Sequence, residues 1–190
     1  MKIISHYRYL LKKYGKQGWW PADSNYEIVV GALLTQNTNW KNVEKAISNL
    51  KKEKVLIPKK ILSINLEKLK KLIRPAGFYN QKASRLKELT KKYLKIKNKN
   101  LSIEKLREEL LSVKGIGPET ADSIILYAFN KPIFVIDSYT KRFCRYYSLF
   151  EGKTYDDYRL FFQSNLPKSA KIYNEFHALI VLWAKKNKKI

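Results

Sequence analysis

The stretch Leu110-Leu111-Ser112-Val113-Lys114-Gly115-Ile116-Gly117-Pro118-Glu119-Thr120-Ala121-Asp122 constrains the fold more than any other part of the chain. It reads as a helix, a tight turn in which two glycines flank one apolar residue, and a second helix. Gly115 and Gly117 permit positive φ and a close approach of the turn to another backbone. Ile116 is expected to plug between the two helices, and Pro118 suits the first turn of the second. The unbonded amides at that helix start then point outward, toward an anion.

The remaining segments agree with paired helices. None sustains the apolar–polar alternation of a strand, so the expected fold class is all-α. A helix is expected over 3–14. Ser24 followed by Glu27 reads as a capping box opening a helix through Thr35. Asn39 caps the next, with Val43, Ala46, Ile47 and Leu50 on its buried face. Asn65 starts another, carrying Leu66, Leu69, Leu72 and Ile73. Pro75 and Gly77 break the chain. Further helices are expected over about 81–94, from a Ser102 cap to near Val113, and from Pro118 to about Phe129. The apolar run 133–136 reads as an extended connector, and three more helices start near Ser138, Tyr155 and Ala170.

Charge narrows the partner. Lys and Arg number 39 against 16 Asp and Glu, a net +23. Solubility needs far less, so a polyanion is implied, nucleic acid ahead of membrane. A merely lysine-rich surface is the competing explanation. The hydrophobic fraction of 45% makes the chain globular. No apolar run reaches the ~18 residues of a membrane-spanning helix, and residues 1–14, polar and basic, do not read as a signal peptide. No membrane partner and a cytoplasmic, nucleoid-associated location are therefore expected. The single cysteine, Cys144, can form neither an internal disulfide nor a four-cysteine metal or iron–sulfur site. It reads as a small core residue.

Asp137 lies 20 residues after Gly117, at the end of the connector and just before a helix. An N-cap role explains it locally. The same helix amides and dipole would hold its carboxylate ionised.

Together these features resemble the endonuclease III superfamily of DNA glycosylases, and within it the 3-methyladenine DNA glycosylase III branch. The likeness runs from about Trp19 to Trp183. It is carried by Trp19-Trp20-Pro21, Leu34-Thr35-Gln36-Asn37-Thr38, Gly77-Phe78-Tyr79-Asn80-Gln81-Lys82-Ala83, Lys114-Gly115-Ile116-Gly117 and Phe176-His177. The resemblance implies two helical subdomains with the active site in the cleft between them. One would span 21–130 and carry a helix-hairpin-helix at 111–122; the other would join 1–20 to 131–190. Lys114, Gly115, Ile116, Gly117 and Thr120 would form a hairpin that clamps phosphate without reading sequence. The implied reaction flips a damaged base out of duplex DNA and hydrolyses its N-glycosidic bond. Asp137 would be catalytic, a fixed anion beside an oxocarbenium-like sugar.

The resemblance also assigns a base pocket to Trp40, Trp20 and Trp19, with Glu119 and His177. Indole faces suit a flipped base, and a cationic alkylated purine most of all. Trp40 and Trp20 or Trp19 would sandwich that base, although core roles for the tryptophans compete, and Trp183 reads as core. Gln36, Asn37 and Asn80 would fill the gap left in DNA. His177, near Phe176 and Ile180, equally suits a satisfied core histidine.

Three departures shape the expectation. Bifunctional relatives carry an imine-forming lysine where this chain has Glu119, so a monofunctional enzyme is implied, with water as nucleophile and Asp137 as its base. The four cysteines of cluster-bearing relatives are lacking. Leu179 stands where the alkyladenine branch has a modified lysine. No cofactor is expected, with room for a monovalent cation at the hairpin, and the expected species is a monomer on damaged double-stranded DNA. Two alternatives stay open: a glycosylase for a mismatched, deaminated or oxidised base, and a non-catalytic helix-hairpin-helix DNA-binding protein.

Overall fold

The computed structural model describes residues 2–187, and all regular structure among them is helical. The helices are α1 (Ile3–Tyr14), α2 (Asn25–Leu34), α3 (Trp40–Lys52), α4 (Pro58–Ser63), α5 (Leu66–Ile73), α6 (Tyr79–Ile96), α7 (Ile103–Leu111), α8 (Pro118–Ser123), α9 (Ser138–Tyr146), α10 (Tyr155–Asn165) and α11 (Ala170–Lys186). A 3-10 turn, Arg74–Ala76, precedes α6, and a π-helical stretch, Ile124–Ala128, follows α8 directly.

Side-chain caps set most of the helix starts. Asn39 accepts from the Asn42 amide, Asn65 from Glu67 and Lys68, Ser102 from Lys105, and Asp137 from Thr140. Each such cap contributes about 1 kcal/mol. Thr154 and Asp157 close a reciprocal capping box on α10. The box expected at α2 is only half made. Ser24 Oγ accepts from the Glu27 amide, but the Glu27 carboxylate turns to the Asp23 amide (3.1 Å) and to Lys51 (2.6 Å). The lysine outcompetes the Ser24 backbone for that carboxylate. Helix α4 was not expected, and α6 runs a residue or two further at each end than its pattern suggested.

The chain divides into two compact units: Ala22–Ile124, and the residues up to Pro21 together with those from Ile125 onward. The second break, expected near 130, falls inside the continuous run of α8 and the π stretch. The first unit is built on α2, which is apolar on every side, with Tyr26 through Leu34 all buried. Such a helix is stable only when surrounded, and α3, α6 and α8 pack on it. The other unit centres on α11, which packs on α1 and α9. Its core is aromatic: the Phe134 and Phe162 rings stack at 4.1 Å, and Phe143 meets Phe176 and Trp183 edge to face. Cys144 is fully buried there, and burial pushes its thiol up to about 12.

Candidate active site and nucleic-acid interface

Asp137 ends the extended run 133–136, which is buried throughout, and caps α9. Its two carboxylate oxygens have separate duties. Oδ1 accepts from the Thr140 amide at 2.7 Å and from the Thr140 hydroxyl at 2.9 Å. Oδ2 faces His177 Nε2 at 3.4 Å, long for a hydrogen bond, so that contact is chiefly electrostatic. The other ring nitrogen of His177, Nδ1, lies 2.6 Å from the Tyr127 hydroxyl. Burial, and then the charge of Asp137, push Tyr127 well above its usual range, so its hydroxyl keeps its proton. That hydroxyl and Nδ1 hydrogen-bond, and Nε2 is left facing the carboxylate. Burial alone would raise the Asp137 carboxyl, but His177 and Thr140 outweigh it and hold the group below its ordinary value. The result is a carboxylate that stays ionised while its side chain is only 14% exposed.

Two tryptophans belong to the same unit. The Trp20 ring packs on Tyr127 and the Trp19 ring on Trp20, each pair 5.3 Å apart. Trp19 also lines a cavity of about 320 Å³. Its other walls are Gln17, Gly18 and Pro21, and from α11 Ala178, Val181, Leu182 and Lys185. The wall is thus mainly apolar with one cationic head, and the volume is in the range of small-ligand pockets. Leu179 and Trp183 are buried in the core instead.

The hairpin lies in the unit Ala22–Ile124. Gly115 has φ +84°, a backbone that favours glycine; a Cβ there would fall 2.3 Å from Arg85 Nε, a clash that the flexible arginine would have to move to relieve. Gly117 has φ −93° and open space where a Cβ would stand, so nothing within the chain requires its glycine. Ile116 is buried, as a plug between helices should be. Lys114 and Glu119 are exposed, and no side chain caps α8. Gln36 docks on this hairpin. Its side-chain amide donates to the Gly115 carbonyl (3.0 Å) and to Thr120 Oγ1 (2.9 Å). Asn37 is exposed with φ +50°, a conformation asparagine tolerates, and Asn80 is exposed near the start of α6. Trp40 opens α3, where its indole N–H donates to Glu44 at 2.8 Å.

Three contributors were not expected. Tyr127 reads as one more member of an apolar helix, although a tyrosine buried there needs a partner for its hydroxyl. Phe78 is 62% exposed and sits in the left-handed region at φ +46°. For a bulky residue that backbone costs about 1–3 kcal/mol. Lys82 is 2% exposed. Its ammonium donates to the carbonyls of Leu34 (2.8 Å), Gln36 (2.7 Å) and Ala76 (2.8 Å). A sequence signal existed: Lys82, Leu86, Leu89, Tyr93 and Ile96 share one helical stripe, and a lysine within it must find partners indoors.

A helical chain with a glycine hairpin and, beyond it, a partly buried aspartate capping a helix defines a class of base-removing DNA repair enzymes. The chain belongs to the HhH-GPD superfamily of base excision DNA repair proteins, which matches residues 30–168. A Methanocaldococcus jannaschii protein provisionally named a DNA repair glycosylase is 53% identical over 97% of this chain and 87% of its own. The crystal structure of the H. pylori 3-methyladenine DNA glycosylase MagIII bound to 1,N6-ethenoadenine superposes with TM-score 0.82. It is 33% identical, covering 97% of this chain and 96% of that one. A trapped endonuclease III–DNA covalent intermediate shares the fold at TM-score 0.81 and 18% identity, over 99% of this chain and 87% of that one.

Proposed function

We propose that the protein is a monofunctional DNA glycosylase that extrudes an alkylated purine, such as 3-methyladenine, from duplex DNA and hydrolyses its N-glycosidic bond. The observation that carries the reading is the Asp137 carboxylate, only 14% exposed yet held ionised by His177 and Thr140. In the hydrolysis the C1′–N bond breaks, its electron pair leaves with the base, and positive charge develops on the sugar. A fixed anion stabilises that charge without reorganising. Water adds at C1′, and Asp137 accepts the proton it releases.

The base class follows from chemistry as well as likeness. Alkylation at N3 or N7 makes the purine cationic and a ready leaving group, so little acid catalysis is needed. Residues 31–35 of the buried helix carry no carboxylate to supply it. The Trp19 and Trp20 faces favour a cation, and the similar H. pylori protein is a 3-methyladenine glycosylase. The parts of Trp40 and Glu119 in a pocket rest on the resemblance alone. On the duplex, the +23 charge supplies non-specific grip, the hairpin amides take a phosphate, and Gln36 and exposed Phe78 enter the base stack.

The test is base release from methylated DNA, set beside duplexes with uracil, a mismatch or oxidised guanine. Asp137→Asn should lose at least about 100-fold in single-turnover excision while still binding DNA. A near-normal rate in that variant removes Asp137 from catalysis. Preference for another duplex reassigns the lesion.

A further inference from the structure

We infer that Lys82 is a positioning residue that fastens together the loops carrying Gln36 and Phe78, so that both enter DNA as one rigid element. The inference rests on the reading of those two side chains as the groups that open the base stack.

The geometry has three parts. Leu34 is the last residue of α2 and Ala76 the last of the 3-10 turn. Helix ends leave carbonyls without partners and carry negative partial charge. The Lys82 ammonium reaches into the place where two such ends and the following turn converge, and all three of its protons are used. The backbone of the same residue anchors the second loop: the Lys82 amide donates to the Phe78 carbonyl at 3.0 Å. One residue therefore holds the carbonyl of Gln36 with its side chain and that of Phe78 with its main chain. Gln36 in turn rests its amide on the hairpin at Gly115 and Thr120. The hairpin, the Gln36 turn and the Phe78 turn form one chain of hydrogen bonds with Lys82 as its hub. An apolar side chain of equal length would fill the space but leave three buried carbonyls unpartnered. Burial, and then the charge of Arg85, lower this ammonium to about 8, so it is still largely charged at neutral pH.

The experiment separates grip from probing. A duplex is made with a tetrahydrofuran abasic analogue opposite 2-aminopurine, whose fluorescence rises when its stacking is broken. No chemistry is involved. At saturating protein the native chain should give a clear rise. Lys82→Met should bind undamaged duplex within about twofold of native, since the hairpin amides are untouched, yet lose at least four-fifths of the rise. Lys82→Arg, which keeps charge and donors, should recover more of it than Lys82→Gln. Each variant is assayed at the same interval below its own thermal midpoint. Should Lys82→Met fail to fold, Lys82→Gln carries the comparison. Lys82→Met (or Lys82→Gln in its place) retaining the full rise overturns the inference, and so does a loss of duplex affinity in proportion to the loss of signal. Gln36→Ala and Phe78→Ala are run alongside. If they keep the native rise, the reading of the two loops fails. If they lose it while Lys82→Met does not, only the role of Lys82 fails.

Discussion

The Tyr127 hydroxyl stands 2.6 Å from His177 Nδ1, and the same imidazole turns its other nitrogen to Asp137. Tyr127 thereby fixes which edge of the ring the carboxylate meets. Removing His177 should let burial raise the Asp137 carboxyl, because the opposing attraction is gone. The active form is the carboxylate, so the acid limb of the kcat/KM profile should move to higher pH in His177→Ala. Tyr127→Phe should cost about 1 kcal/mol, close to fivefold in rate, from one lost hydrogen bond. Single-turnover excision from about pH 3 to pH 8 measures both. An unmoved acid limb in His177→Ala would detach the histidine from the carboxylate.

No covalent enzyme–DNA complex should form on borohydride treatment with damaged DNA. By the resemblance, Glu119 stands where bifunctional relatives carry an imine-forming lysine, and it has no amine to offer. Lys82, whose ammonium is lowered to about 8, has the basicity of a nucleophilic lysine, but it is buried and fully engaged with three carbonyls. Native protein and Lys82→Arg should therefore both give a blank lane on denaturing gels. A trapped band that survives in Lys82→Arg would put lyase chemistry on another lysine.

Much of this architecture is legible in the sequence because helix starts are written locally. Asn39, Asn65, Ser102 and Asp137 each cap the helix that follows, and Pro118 opens another. Helix α4 is too short for a period to show, with Ile61 its one buried residue. The π stretch Ile124–Ala128 is invisible for the opposite reason: it is apolar on all sides, so a change of winding leaves no pattern. Asp137 is marked in the sequence by its place after the hairpin, whereas the hydrogen bond of Tyr127 to His177 spans 50 residues and has no local signature. Lys82 hides among 39 basic residues, and only its position on an apolar stripe distinguishes it. Gly117 is the reverse case, a sequence signal that the chain's own packing does not explain.

Binding to undamaged duplex should be tight at low salt and fall steeply as salt rises. With a net charge of +23, several phosphates should be neutralised together. For about 6–10 such contacts the log–log slope is near −0.9 per phosphate, a loss of about 10³–10⁵ in affinity between 50 and 200 mM salt. Fluorescence anisotropy gives the slope directly. A slope near zero would leave the charge with no bearing on DNA.

Substitutions in the cavity beside Trp19 test whether it holds the base. It has an indole on one side and the α11 residues Val181 and Leu182 on another, with Lys185 also in its wall. If a flipped purine is held there, Trp19→Ala should weaken excision without weakening the grip on DNA. Base–aromatic stacking is worth about 1–3 kcal/mol, or about five- to 150-fold in rate. Leu182→Trp makes the complementary change. Leu182 is only half-buried, so a larger ring can be accommodated without disturbing the core, yet it would occupy the space a base needs. Both variants should bind an abasic-analogue duplex, which presents no base, within about twofold of native, while base release from methylated DNA falls. A cationic alkylated purine should suffer more from Trp19→Ala than a neutral deaminated one, because the indole face attracts positive charge. Equal losses on both duplexes would make Trp19 a structural residue. Undiminished base release by Leu182→Trp would show that the base is held elsewhere.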